Sequence, residues 1–234
     1  MKKVLVITGA SRGIGFATAQ YFSERGFTVF NLARSHIEAA NVQHLAVDLG
    51  GNDWQKRITA ELLPAVVDAD QLVLVHNAAA NIHDSLAEFS ADAFRRTLEI
   101  NVVAPAQLGH LLLPAMRSGS SIIYIGSTLS EIAVANSCAY VTSKHALVGL
   151  MRSTCQDLAG TGIHTACVCP GFTDTEMLRA HVGNSEDVLA AIAAGVTQKR
   201  LIRPDEIART VYFCAESPAI NGAVIHANLG QIQS

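Results

Sequence analysis

The chain has 234 residues, half of them hydrophobic, and a formal net charge of −3. That length fits one α/β domain with a core covered on both sides. The charge gives no electrostatic footprint for nucleic acid or an anionic membrane, and no stretch approaches the ~18 consecutive apolar residues of a membrane span.

The start, Met1-Lys2-Lys3, is basic, but the apolar run behind it ends at Thr8-Gly9. That is shorter than the hydrophobic region of a secretory signal. Five cysteines (138, 155, 167, 169 and 214) stand in apolar or helical contexts. Their odd number favours reduced core thiols and a cytoplasmic protein. Cys167-x-Cys169 has no second Cys/His pair at ligand spacing, so strand alternation accounts for it better than a metal does.

In chain order, apolar and β-branched runs at 4–8, 28–32, 43–47, 71–75, 121–126 and 163–169 alternate with helical patterning. Near-continuous apolar strands between helices predict a parallel sheet buried on both faces. The whole chain, 1–234, reads as one domain: an α/β, doubly wound parallel sheet of about seven strands. Between Arg34 and Asp48 there is little room for a crossover helix.

The first strand runs into Gly9, Gly13 and Gly15, spaced four and then two apart. A helix from about Gly13 would aim its N–H groups and positive dipole at an anion beyond the strand's carboxyl end. Gly9 would make the tight turn, Gly13 would admit a pyrophosphate, and Gly15 would let helix and sheet pack closely. Taken alone, the stretch also reads as a turn with incidental glycines.

TGASRGIG resembles the T-G-x-x-x-G-x-G signature of the short-chain dehydrogenase/reductase family. Asp48-Leu49, His76-Asn77-Ala78-Ala79, Asn101, Ser127, Tyr140, Lys144, Cys169-Pro170-Gly171 and RLIRPDEIA follow in that family's order. The resemblance covers essentially the whole chain. It is nearest to bacterial 3-oxoacyl-carrier-protein reductase-like members, and it implies a Rossmann-type fold and a nicotinamide dinucleotide. It also implies cofactor contacts from Gly9, Ser11, Arg12, Gly13, Ile14, Gly15, Arg34, Asp48, Leu49, Asn77, Ala78, Tyr140, Lys144, Pro170, Gly171, Thr173 and Thr175.

Tyr140 and Lys144 are four apart on a helically patterned segment, so they share a face. A free tyrosine, with a pKa of about 10, is a poor proton-transfer group at neutral pH. A nearby ammonium favours the phenolate, so Tyr140 can protonate a carbonyl oxygen or deprotonate an alcohol. Ser127 ends IIYIGS at the carboxyl edge of the sheet, where its hydroxyl can steady the substrate oxygen. By resemblance, Asn101 would hold a water linking Lys144 to solvent, and Lys144 would grip the nicotinamide ribose.

At the end of FTVFNLARS, Ala33 stands where an NAD-preferring member has a carboxylate, and Arg34 follows. With Arg12 in the glycine-rich turn, this favours NADP(H) over NAD(H), because guanidinium suits a 2′-phosphate. His76 and Ala79 depart from the family's N-N-A-G; His76 is expected to pack or hydrogen-bond near the adenosine without a catalytic part.

The variable substrate loop is expected at about 172–200, with DVLAAIAAG as a short lid helix and Phe172, Met177 and Leu178 either lining an apolar pocket or only packing the lid onto the sheet. Arg117 stands alone before the fifth strand and Gly160-Thr161-Gly162 carries no cation. A free small carbonyl or alcohol compound is therefore favoured over a protein carrier. A pteridine-reductase-like enzyme is the alternative, and a catalytically silent NADP(H) sensor is the alternative of another class. The resemblance implies a homodimer or homotetramer paired through the apolar helices over roughly 92–115 and 138–160, whose apolar residues equally suit packing on the sheet. No metal site is expected.

Overall fold

The computed structural model describes residues 1–36, 39 and 41–231. Its strands are β1 (Lys3–Thr8), β2 (Thr28–Ala33), β3 (Val42–Ala46), β4 (Gln71–His76), β5 (Ser121–Ile125), β6 (His164–Pro170) and β7 (Ala223–Ala227). All pair in parallel, in the order β3-β2-β1-β4-β5-β6-β7. The expected doubly wound sheet in a single domain is thus observed. The order reverses between β1 and β4, so a crevice opens there at the carboxyl ends of the strands.

Alternation along the strands feeds two cores. Val4, Val6, Leu72, Leu74, Ile122 and Tyr124 face one side, while Leu5, Ile7, Val73, Val75 and Ile123 face the other. Every one of these is essentially inaccessible to solvent, which is why the sequence reads as continuous apolar runs. The second face is covered by α1 (Gly13–Ser23) and by the helix Pro204–Glu216. Phe22, Phe27 and Tyr212 meet edge-to-face there, with Phe22 5.0 Å from Phe27 and 5.1 Å from Tyr212 between ring centroids.

The first face is covered by two interrupted rods and one long helix. The first rod joins α2 (Trp54–Arg57) to α3 (Leu63–Val66) through a π-helical turn, Ile58–Leu62. The second joins α4 (Ala91–Leu98) to α5 (Ala104–Leu112) through another, Glu99–Val103. Both turns are followed within two residues by a proline, Pro64 and Pro105. Proline offers no N–H and its ring crowds the carbonyl four residues back, so the ladder widens: Leu63 and Ala104 donate to carbonyls five residues earlier, on Ile58 and Glu99. The long helix is α6 (Cys138–Asp157); α7 (Glu176–His181), α8 (Glu186–Ala194) and α9 (Pro204–Glu216) complete the set.

The connection from Arg34 to Asn41 is short and has no helix among its described residues. β7 belongs to no apolar run singled out in the sequence. It is an edge strand, mostly half-buried, so AVIHA lacks the continuous apolar character of the inner strands.

Candidate active site

The crevice is built from the β1–α1 turn. Gly9 and Gly13 have φ of +69° and +58°, a region that glycine enters without cost. Gly15 is the tightest point, because a Cβ there would lie 2.5 Å from both Asn77 Nδ2 and the Gly9 carbonyl oxygen. Asn77 Nδ2 donates to the carbonyls of Thr8 and Gly9, each at 2.9 Å. The Thr8 hydroxyl accepts from the N–H groups of Asn77 and Ala78, each at 3.0 Å. Buried Asn31 fixes the other side by accepting from the Ala10 N–H at 2.9 Å. Thr8 opens the quoted TGASRGIG signature, whereas Asn31 was not singled out in the sequence, although it was visible as the polar break in an apolar strand.

Arg12 caps α1 in an extended conformation without a side-chain bond to the helix, and the first turn, which includes Ile14, carries no acidic residue. An uncapped helix start beside backbone that a Cβ would obstruct fits a dinucleotide pyrophosphate. Arg12 Nε lies 3.4 Å from Glu176 Oε2 on α7, so the turn and the substrate segment are tied across the crevice. Arg34 is exposed just beyond β2. The Ser11 hydroxyl donates to the Ser35 carbonyl at 2.6 Å, joining the turn to that same corner.

Asp48 accepts from the Gly50 N–H at 3.1 Å and pairs with Arg96 at 3.3 Å, while Leu49 is buried. On the far side, the Gly171 N–H donates to the Ala227 carbonyl at 3.1 Å, just past Pro170. The buried Thr173 donates to the Gly171 carbonyl at 3.1 Å, and Thr175 caps α7 by accepting from the Leu178 N–H at 3.3 Å. Thr175 also stands against Gly13.

Ser127 opens a short 3₁₀ turn, Thr128–Ser130, that packs on α6. Its Oγ accepts from the Leu129 N–H at 3.1 Å, which leaves the hydroxyl proton for another acceptor. Tyr140 is half-buried on α6 and Lys144, one turn on, is buried. The Lys144 ammonium lies 5.4 Å from the centre of the Tyr140 ring and donates to the Ile125 carbonyl at 2.7 Å.

Asn101 sits in the second π-helical turn, and its side-chain amide is fully engaged. It donates to the Ala80 carbonyl at 2.9 Å and to Ser143 Oγ at 2.8 Å, and it accepts from the Ala80 N–H at 2.7 Å. Ser143 in turn donates to the Tyr140 carbonyl at 2.8 Å. A further buried residue, Asp84, accepts from the Ala139 N–H at 3.0 Å and so anchors the start of α6. Neither Ser143 nor Asp84 is marked by any sequence signal beyond residue type.

His76 ends β4 with both ring nitrogens unpartnered, stacked at a tilt 4.8 Å from Tyr124. Burial drives its imidazole down to about 3. It packs on the first-face side of the sheet, beside Tyr124. Among the described residues, no cluster of three or more His, Cys, Asp and Glu could hold a metal ion, and no helix is long and apolar enough to cross a membrane.

The family model described as enoyl-(acyl carrier protein) reductase matches residues 9–231. Protein FixR of Bradyrhizobium diazoefficiens is 34% identical, over 98% of this chain and 86% of its own. The 3-oxoacyl-[acyl-carrier-protein] reductase FabG of Salmonella typhimurium is 31% identical, over 97% of this chain and 96% of its own. The ligand-free aldohexose dehydrogenase of Thermoplasma acidophilum superposes with a TM-score of 0.91 at 28% identity, covering 100% of this chain and 97% of the other. The chain belongs to the short-chain dehydrogenase/reductase family, whose members are oxidoreductases acting on CH–OH or C=O groups.

Proposed function

We propose that the chain is an NADP(H)-dependent reductase of a small, free carbonyl compound, or the corresponding dehydrogenase in reverse. The observation that carries this reading is the buried Lys144 lying one helical turn from Tyr140, beneath the segment that ends at Ser127. A nicotinamide dinucleotide held along Gly9–Gly15, Asn77, Ala78 and Thr175 supplies the hydride. Tyr140 exchanges the proton at the substrate oxygen, and the free Ser127 O–H donates to that same oxygen. Lys144 lies beside the phenol and can turn from the Ile125 carbonyl to the cofactor ribose.

Asn101 contributes through its backbone. With the side-chain amide bound to Ala80 and Ser143, its carbonyl is the group left to hold a relay water behind Lys144. Pro105 cannot engage that carbonyl as a normal helix would.

The choice of NADP(H) rests on Arg34, on Ala33 in place of a carboxylate, and on Arg12 across the turn. The segment 172–200 is the substrate lid. Arg179 holds it together, with Nε 2.7 Å from Asp174 and Nη1 2.9 Å from Glu186. A similar solved structure that is an aldohexose dehydrogenase supports the choice of a free small substrate. The exposed Val103 on the α4–α5 rod, and Leu113 just past its end, give apolar surface of the kind a homodimer or homotetramer covers. The test is NADPH oxidation by the purified protein against acetoacetyl thioesters, diketones, aldehydes, ketosteroids, sugars, quinones and dihydropterins. Turnover of a free carbonyl supports the reading. Tight NADPH binding with no turnover of any of them favours a sensor instead.

A further inference from the structure

The helix that carries Tyr140 begins without a cap of its own. Ser137, the residue before its first turn, makes no side-chain bond to α6, and that turn holds no acidic residue. A helix start leaves backbone N–H groups without partners inside the helix. Two of them are taken here by Asp84, from the connection between β4 and α4. The Cys138 N–H donates to the Asp84 carbonyl at 3.3 Å. The Ala139 N–H donates to both oxygens of the Asp84 carboxylate, at 3.1 and 3.0 Å. Asp84 is buried, and its carboxylate stands at the positive end of the α6 dipole, where charge strengthens such a bond.

Asp84 also holds the segments on either side of this start. Its own N–H donates at 3.2 Å to the carbonyl of Asn136, in the loop that leads from the Ser127 turn to α6. Asp84 and Ser137 form an isolated parallel bridge beside it. In the other direction the chain runs from Asp84 back to Ala80, which the Asn101 amide clamps, and on to Asn77 under the glycine-rich turn. One residue thus joins the cradle, the Ser127 loop and the helix of Tyr140.

We propose that Asp84 is a positioning residue for the reaction: by capping α6 from outside the helix, it fixes the Tyr140 hydroxyl against that of Ser127. Tyr140 is the third residue of α6, in the turn whose N–H groups Asp84 holds. Lys144 lies one turn further in, with its ammonium bound to the Ile125 carbonyl. Helix ends fray first, so loss of the cap frees the phenol's turn before it reaches the lysine or the glycine-rich turn. The cost therefore falls on proton exchange at the substrate oxygen and spares cofactor binding.

This role rests on the reductase reading of Tyr140, so one arm of its test needs turnover and the other does not. Asp84→Ala removes the carboxylate, while Asp84→Asn keeps one acceptor oxygen without the charge. On whichever carbonyl compound the parent reduces, kcat should fall roughly tenfold or more in the alanine variant, a scale that small misplacements of a reacting group produce. The KM for NADPH should stay within about twofold of the parent's. Asparagine caps nearly as well as aspartate, so it should bring kcat back to within about threefold. A cap that served stability alone would lower Tm and leave kcat, measured well below the melt, at its parental value.

Crystal structures of the parent and both variants read the separation of the Tyr140 and Ser127 hydroxyls without any substrate. It should widen by about 1 Å in Asp84→Ala and hold in Asp84→Asn. Where the alanine variant does not fold, Ala139→Pro deletes the donor instead, in a first turn where proline is tolerated, and the same losses are expected. Parental kcat without the cap, a loss carried by the KM for NADPH, no recovery by asparagine, or hydroxyls that do not move apart overturns the proposal. A parent that turns over no carbonyl compound overturns the reductase reading instead, and the crystal structures then decide alone whether Asp84 places Tyr140.

Discussion

Pro105 stands four residues beyond Asn101 and has no N–H to give that residue's carbonyl. The widened turn between them is therefore a consequence of sequence, and it sets Asn101 where its amide clamps Ala80 and Ser143. Pro105→Ala restores the missing donor, and we expect the turn to tighten toward an ordinary α-helix. Turnover should fall several-fold while NADPH affinity holds, with the loss in kcat rather than KM. Unchanged kcat would separate this carbonyl from the proton path.

Arg34 is predicted to read the 2′-phosphate. Loss of a charge-assisted contact of ~2 kcal/mol corresponds to about 30-fold in affinity. Arg34→Ala should thus weaken NADPH by roughly that factor and leave NADH nearly unchanged, as titration by fluorescence would read. Equal losses for both cofactors would remove Arg34 from the phosphate site.

Arg12 is shared between the glycine-rich turn and Glu176. Glu176→Gln removes that competitor and should tighten NADPH binding about threefold at low salt, with the gain fading as salt screens it. Binding that is indifferent to the substitution at every ionic strength would mean the pair carries no coupling.

His76 makes stability depend on pH. Its folded value, about 3, lies below the ordinary histidine value of 6.5, so between them the unfolded chain binds the extra proton. Stability should then fall as pH drops through 6.5 toward 3, by up to ~1.4 kcal/mol per pH unit. His76→Leu removes this dependence and two orphaned nitrogens. Thermal melts from neutral to acid pH should show a shallower fall in Tm for the variant. Parallel curves would mean that His76 is protonated or hydrated in the folded protein.

The inner strands were legible because burial on both faces leaves only apolar side chains there, as in Val4–Ile7 and Leu72–Val75. β7 was not, because an edge strand obeys a weaker pattern. The glycine cradle could be read from spacing, since Gly9, Gly13 and Gly15 each meet a local backbone demand. Long-range partnerships carry no such local mark. The Arg12–Glu176 tie spans the crevice, Asn101–Ser143 joins two helices, and the orphaned burial of His76 follows from the register of β4 on β5. The sequence placed Cys167 and Cys169 on one face, while the packing of Gly126 over them emerged only with the fold.

The most direct test of the proposed chemistry is NADPH oxidation by Tyr140→Phe beside the parent, on whichever carbonyl compound the parent turns over, with NADPH binding measured on both. The account predicts unchanged cofactor affinity and a fall in turnover of at least about a hundredfold, the scale of one lost acid–base group. Near-parental turnover by the phenylalanine variant would contradict it.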